Sequence, residues 1–144
     1  MIKILKIELI PSSTWGINVT SVLSKKQWDD LRKKKYKEAG YRCQICDFEG
    51  KLHCHEIWDY DDEENIQSLK GIICLCEQCH KVKHFGRTQT LGKEEKDKAI
   101  QHMMKVNGWT FGRTFKHIGE SVIQWNKREC FEWEVNIDKL KDLT

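Results

Sequence analysis

Apolar and polar residues alternate at the start of the chain, as they do on a β-strand, where successive side chains point to opposite faces. Ile2 and Ile4 flank a lysine, and the alternation predicts a strand over residues 2–10. Pro11 and the two serines after it mark a turn that ends this strand. A shorter alternation of tryptophan and valine with glutamates predicts an edge strand over residues 132–137.

Three longer segments repeat their apolar residues at the period of an amphipathic helix. The first is predicted to run from Ser24, a good N-cap, to Ala39, with Gly40 as its stop. The others are predicted over residues 93–105 and 110–127. The last helix places five apolar residues on one face: Phe111, Phe115, Ile118, Val122 and Trp125. We expect the aromatic residues of this part to pack in the core rather than stack on nucleic-acid bases: Trp109, Phe111, Phe115, Trp125 and Trp133.

The middle of the chain is predicted to form a β-hairpin followed by a short helix. The hairpin spans residues 41–58 and turns at residues 49–51. A loop over residues 59–65, a buried strand over residues 69–75 and a helix over residues 77–85 follow it. Separate runs of strands and helices of this kind predict the α+β class.

Length and composition narrow the class of protein. The 144 residues are expected to form a single domain, 1–144. No apolar run approaches the roughly 20 residues that span a bilayer, and the N-terminus lacks the apolar core of a secretory signal. We therefore expect no membrane partner and a location in the cytoplasm. The net charge of +3 neither requires nor excludes nucleic acid, so the placement of the basic residues matters more.

Seven cysteines without a secretory signal favour metal binding over disulfides. Four of them form two Cys-x-x-Cys pairs: Cys43 with Cys46, and Cys76 with Cys79. Two such pairs can offer four thiolates to tetrahedral Zn²⁺, so we predict a structural zinc ion that stabilises a segment with a thin core. A redox role is disfavoured because no thioredoxin-like βαβ pattern surrounds the pairs. The other three cysteines are expected to be small buried residues: Cys54, Cys74 and Cys130.

Four histidines lie in the same segment: His53, His55, His80 and His84. His80 and His84 are four residues apart on the predicted helix, so their rings project from one face. If zinc clamps the helix against the strand that carries His55, two or three imidazoles meet in a site for one divalent ion with open positions. The remaining histidines, His102 and His117, are expected to be ordinary surface or packing residues.

Two stretches resemble the motif of the HNH, or ββα-metal, nucleases: Gly50-Lys-Leu-His-Cys-His-Glu-Ile-Trp58 and Leu75-Cys-Glu-Gln-Cys-His-Lys-Val-Lys-His84. The resemblance covers residues 41–86 and implies a ββα-metal core stapled by zinc. Residues 1–40 and 87–144 would then be flanking helices and short terminal strands. The resemblance also implies a catalytic divalent ion, such as Mg²⁺ or Mn²⁺, bound by three histidines: His55, His80 and His84.

Glu56 matches the position at which this family usually has the histidine that activates water. An ionised glutamate can accept a proton, although less favourably than an imidazole. Three alternatives stay open at this point. His55 is the base and Glu56 binds the metal, His53 is the base, or the site is inactive.

The resemblance implies a metal-dependent endonuclease that hydrolyses phosphodiester bonds in DNA, in a bacterium or a phage-infected host cell. Contacts to DNA phosphates are expected from basic residues after the second cysteine pair, namely Lys81, Lys83 and Arg87. A second set lies on the first long helix: Arg32, Lys33, Lys34 and Lys35. The alternative is a catalytically inactive zinc module of phage or defence origin that binds nucleic acid or protein.

Overall fold

A three-stranded sheet, built on a long β-hairpin, lies at the centre of this α+β fold. In this computed structural model, which describes residues 3–144, β1 (Leu52–Asp61) pairs antiparallel with β2 (Ile66–Cys76). The short β3 (Glu134–Asn136) adds to the first residues of β2 in parallel, so the strand order is β1-β2-β3. The edge strand predicted over residues 132–137 is therefore present as β3, and it pairs with the β2 strand of the hairpin.

Helices surround this sheet. They are α1 (Val19–Val22), α2 (Lys25–Glu38), α3 (Glu77–Lys83), α4 (Phe85–Thr88), α5 (Lys93–Asn107), α6 (Phe111–Glu129) and α7 (Leu140–Leu143), with 3-10 turns at Ser12–Thr14 and Gln89–Leu91. Among residues 3–144, no helix is both long enough and apolar enough to cross a bilayer.

The boundaries predicted for α2 are correct to within one residue, whereas α3, α5 and α6 end at other residues than predicted. Ser24 caps α2, because its side chain accepts a hydrogen bond from the backbone N–H of Gln27. Helix α5 runs two residues past its predicted end, to Asn107, and α6 runs to Glu129. Helix α3 is shorter than predicted, because His84 adopts a non-helical backbone (φ −92°, ψ 45°) and ends it.

The hairpin predicted over residues 41–58 is wrong in its pairing. β1 pairs with β2 instead, and the connection is residues 62–65, shorter than the predicted loop. Residues 42–49 form a separate knuckle, held by an isolated bridge between Arg42 and Glu49. β1 has ten residues, and among the described strands only β2, with eleven, is long enough to pair along its whole length. The hairpin therefore turns at residues 62–65 and not at the predicted residues 49–51.

The N-terminal strand predicted over residues 2–10 is also wrong for residues 3–10, which belong to no helix or strand. Residue 2 lies outside the described residues. Side chains replace the missing strand partner. The Asn107 amide accepts the Leu5 N–H at 2.7 Å and donates to the Leu5 carbonyl at 2.8 Å. His117 Nε2 accepts the Ile7 N–H at 3.0 Å, so the segment is fixed although it has no neighbouring strand.

The expected core role of the aromatic residues holds for Trp133, which is buried, while Trp109 and Trp125 are half-buried. It is wrong for Phe111 and Phe115, whose exposed fractions are 60% and 43%. Helix α6 buries Thr114 and packs part of Ile118 against the core, so its core-facing stripe is narrower than the apolar pattern implied. Cys130 is exposed as well, contrary to the expectation that it is buried.

Asn107→Ala tests whether side-chain hydrogen bonds hold the N-terminal segment. The change leaves the N–H and the carbonyl of buried Leu5 without partners, so we expect a loss of about 1–3 kcal/mol in the free energy of unfolding. Urea denaturation measures this. Asn126→Ala, at an exposed position in α6, is the matched control and should change stability by less than about 0.5 kcal/mol. Equal effects of the two substitutions would contradict the account.

Candidate metal centres

The two cysteine pairs converge on one point, as predicted. Cys43 and Cys46 lie in the knuckle before β1, Cys76 is the last residue of β2, and Cys79 is in the first turn of α3. Their sulfur atoms all lie within 4.8 Å of one another, and Cys46 Sγ is 3.6 Å from Cys76 Sγ. Sulfurs around a tetrahedral zinc ion lie about 3.8 Å apart when each metal–sulfur distance is about 2.3 Å. The cysteine cluster can therefore hold a metal ion such as zinc.

Backbone N–H groups donate hydrogen bonds to two of these sulfurs, which favours their ionised form. The N–H of Cys46 donates to Cys43 Sγ at 3.5 Å, and the N–H of Cys79 donates to Cys76 Sγ at 3.4 Å. The pKa of Cys43 is held below its usual value because the thiols of Cys76 and Cys79 donate to it. The pKa of Cys76 is correspondingly raised to about 11 by its hydrogen bond to Cys43. Four adjacent thiolates repel one another, so all four sulfurs ionise together only around a cation.

His102 contacts this cluster, which the sequence analysis missed. Its Nε2 lies 3.2 Å from Cys79 Sγ. A thiolate can only accept, so the ring would donate its Nε2–H to the sulfur. Burial lowers the pKa of His102 below its usual value, which favours the neutral ring. No sequence signal marks this contact, because His102 lies 23 residues away on α5.

Three histidines form a second cluster beside the first. His55 projects from β1, while His80 lies in α3 and His84 at its C-terminal end. One nitrogen of each ring lies within 4.8 Å of the others. The ring centroid of His84 lies 4.8 Å from that of His55 and 4.6 Å from that of His80. The structure thus brings together the three rings that the sequence analysis named.

Burial favours the neutral form of the two rings at α3, His80 and His84. It lowers the pKa of His80 to about 3 and that of His84 to about 4, and the neighbouring imidazoles add to the effect. At neutral pH both rings therefore carry a free lone pair, which is the form that binds a metal ion. His55 is only 4% exposed, so the cluster lies at the bottom of a depression and not on an open surface.

The two other predicted base candidates lie at the edge of this cluster. His53 stacks on His80 with a centroid distance of 5.0 Å and an interplanar angle of 13°. Glu56 follows His55 on β1 and so projects from the opposite face of the strand. Its carboxylate accepts the Val19 N–H at 3.4 Å, and burial raises its pKa above the usual value. Neither side chain belongs to the group of converging ligand atoms.

Glu8 contacts the histidine cluster and was not among the candidates from sequence. Its Oε2 lies 2.9 Å from His55 Nε2. Glu8 falls within the predicted N-terminal strand, and a single glutamate between Ile7 and Leu9 does not indicate a metal site. Only the folded path of residues 3–10 brings it to the site.

A cavity of about 910 Å³ opens onto the histidines. Its wall includes His55, His80 and His84, both carboxylates named above, and Arg87. Aromatic side chains complete it: Trp15, Trp28, Trp58 and Trp125. The two indole N–H groups of Trp15 and Trp125 both donate to the Ile10 carbonyl, at 2.9 Å and 3.1 Å, so residue 10 fixes this wall.

The basic residues after the second cysteine pair differ in their freedom. Arg87 is exposed. Lys81 is held by Glu95 at 2.8 Å and by Glu77 at 3.5 Å. Lys83 is half-buried, and burial lowers its pKa below the usual value. Arg87 is the one of these three that is most available to an anion.

The basic run on α2 is likewise divided. Arg32 pairs with Asp29 at 2.8 Å, and Lys35 pairs with Glu38 at 3.1 Å. Lys33 and Lys34 are exposed. Arg32 and Lys35 are also half-buried, so they are less available to an anion than Lys33 and Lys34.

Cys79→Ser tests the cysteine cluster. Loss of one thiolate should remove the bound zinc and lower the free energy of unfolding by about 4 kcal/mol or more, because the ion links the knuckle to α3. Zinc content by mass spectrometry and urea denaturation measure the two effects. Cys130→Ser is the control, because that cysteine is exposed and outside the cluster, and it should keep one zinc per chain. Full zinc content in Cys79→Ser would refute the assignment.

Comparisons of the chain with protein-family models, with curated proteins and with solved structures find no match. The interpretation of the two clusters therefore depends on their own geometry and chemistry. That geometry is one cluster of four sulfurs and one of three imidazoles, joined by the short helix α3.

Proposed function

We propose that the chain is a metal-dependent DNA endonuclease of the HNH type, in which β1, β2 and α3 form a ββα-metal core. One observation carries the proposal. The imidazoles of His55, His80 and His84 converge at a cavity, and His80 directly follows Cys79 of the four-cysteine cluster in α3. A purely structural zinc module needs the sulfurs but has no use for a second group of ligands.

The cysteine cluster would act as the clamp of this core. Cys76 both ends β2 and caps α3, since its Sγ accepts from the N–H of Cys79. A zinc ion on the four sulfurs would therefore fix the angle between the strand and the helix. His55 on the strand and His84 on the helix are then held in register across that angle.

The second ion would be bound by His55, His80 and His84. Three protein nitrogens leave coordination positions open, which is the arrangement of catalytic and not of structural sites. Such an ion supplies positive charge that binds a phosphate oxygen and stabilises the negative charge of the transition state. The cavity wall orients the substrate strand against these positions.

Glu56 matches the base position of the HNH motif but leaves β1 on the face opposite His55, so it would accept a proton only from a water that reaches it across the cavity. It lies in the wall of the same cavity. Burial raises its pKa, which brings its strength as a base closer to what neutral pH requires. The N–H of Val19 holds the carboxylate in place at 3.4 Å without neutralising it.

Contacts with DNA phosphates would come from the basic side chains that are not already in tight ion pairs. Arg87 lies in the cavity wall, and Lys33 and Lys34 are exposed on α2. Arg32, Lys35, Lys81 and Lys83 would contribute less, because each is paired or half-buried. Contacts of this kind give affinity without sequence selectivity.

Cleavage of supercoiled plasmid in the presence of Mg²⁺ or Mn²⁺ tests the function. The wild-type chain should nick or linearise the plasmid, and His84→Ala should reduce the rate by about 100-fold or more, because it removes a ligand of the ion. Cys130→Ser should cleave at the wild-type rate. Intact plasmid at high protein concentration with every divalent ion would favour the non-catalytic zinc module.

Arg87→Ala tests the contact with phosphate. Binding to a short DNA duplex, measured by fluorescence anisotropy at several salt concentrations, should weaken, and the slope of log K against log salt should fall by about 0.9. Lys81→Ala is the comparison at the neighbouring position, and it should change the slope less because Lys81 is paired with Glu95. A larger effect at Lys81 than at Arg87 would contradict this ranking.

A further inference from the structure

We propose that the carboxylate of Glu8 is the fourth protein ligand of the second ion, together with His55, His80 and His84. The inference rests on the metal site of the proposed function, and it adds a residue that lies far outside the hairpin and helix. It makes that site one of three imidazoles and one carboxylate, assembled from the N-terminal segment, β1 and α3.

The contact with His55 has the spacing of two ligands on one ion. Glu8 Oε2 lies 2.9 Å from His55 Nε2. Adjacent ligand atoms of an octahedral ion lie about 3.0 Å apart when each metal–ligand distance is about 2.1 Å. No Glu8 oxygen lies within 4.8 Å of all three imidazole nitrogens, so the carboxylate must move toward His80 and His84 when the ion binds.

The second oxygen of the same carboxylate also requires a partner. Glu8 Oε1 is buried and has no hydrogen-bond partner among residues 3–144. Buried polar atoms in proteins are nearly always paired, and a carboxylate oxygen is expensive to leave unpaired. A cation bound by both oxygens of the Glu8 carboxylate satisfies Oε1, whereas a hydrogen bond from His55 to Oε2 alone does not.

The backbone holds Glu8 at this place. Its N–H donates to the carbonyl of Lys83, the residue before His84, at 3.0 Å. The segment also passes close to Gly86, where an added Cβ would lie 3.3 Å from Leu9 Cδ2. Glu8 is therefore anchored to the same end of α3 that carries one of the histidines, with the rest of its segment fixed by Asn107 and His117.

A carboxylate also changes the charge of the site. Three neutral imidazoles leave a divalent ion with its full charge of +2 in a buried position, and Glu8 would reduce it to +1. An oxygen ligand makes the site more suitable for Mg²⁺ or Mn²⁺, which prefer oxygen to nitrogen. Three imidazoles alone are better suited to zinc.

Binding of Mn²⁺ to the full chain, with zinc already on the cysteine cluster, tests the assignment. Electron paramagnetic resonance of free Mn²⁺ gives the affinity of the second site. Glu8→Gln and Glu8→Ala should both weaken binding by more than about 100-fold, beyond the range usual for residues that only support a ligand. Glu120→Gln, an exposed glutamate on α6, should bind as wild type. Zinc content of one per chain checks that each variant is folded.

Glutamine distinguishes a ligand from a supporting residue. Its amide oxygen can still accept the Nε2–H of His55 but is a poor replacement for a carboxylate on Mn²⁺. Near-wild-type affinity in Glu8→Gln with a loss in Glu8→Ala would show that Glu8 only orients His55 and would overturn the proposal. Wild-type affinity in both variants would overturn it as well.

A measurement on the wild-type chain does not depend on how the variants fold. With ¹⁵N-labelled histidine and a second equivalent of Zn²⁺, His55 should show metal-bound Nε2 and protonated Nδ1. Metal-bound Nδ1 with protonated Nε2 would overturn the proposal, because Glu8 would then lie on the far side of the ring. Absence of any second ion would overturn both this site and the proposed nuclease, whereas ion binding without plasmid cleavage would refute only the nuclease.

Discussion

The structure depends on one constraint: four sulfur atoms from two distant turns must meet at a single point. The four sulfurs join the knuckle of Cys43 and Cys46 to the start of α3 at Cys76 and Cys79. Gln44 in the knuckle adds two hydrogen bonds to Cys74 on β2, at 2.9 Å for its own N–H and 2.8 Å for its side-chain oxygen. Four thiolates without a cation would repel one another, so ionisation of the cluster, binding of the ion and folding are thermodynamically linked.

Much of this arrangement could be predicted from the sequence because its signals are local. A Cys-x-x-Cys pair defines a turn by itself, and two histidines four residues apart define a helix face. Ser24 likewise marks the start of α2 through a bond within its own turn. In each case the residues that cause the structure lie within one turn of each other. The convergence of the four sulfurs and the α+β class, both expected from sequence, are confirmed.

The parts that were missed depend on contacts distant in sequence. Strand pairing went wrong because the choice between a near and a far partner for β1 is decided by length and burial, which local pattern does not encode. The N-terminal residues alternate like a strand, but they bond to Asn107 and His117 more than 100 positions away. The apolar stripe of α6 overestimated burial, because a helical period shows which residues share a face and not what covers it.

The clasp between Leu5 and Asn107 has a consequence for how the chain can be divided. The residues that resemble a nuclease motif occupy less than a third of the sequence, yet the wall around them is made by segments from both ends. Helices α5 and α6 hold residues 5–10 through hydrogen bonds to Leu5, Ile7 and Ile10, and this segment places Glu8 and fixes two tryptophans through Ile10. An excised motif peptide would keep its sulfurs but lose this enclosure. A shortened chain would therefore need residues 5–10 together with α5 and α6 to keep the cavity around the motif.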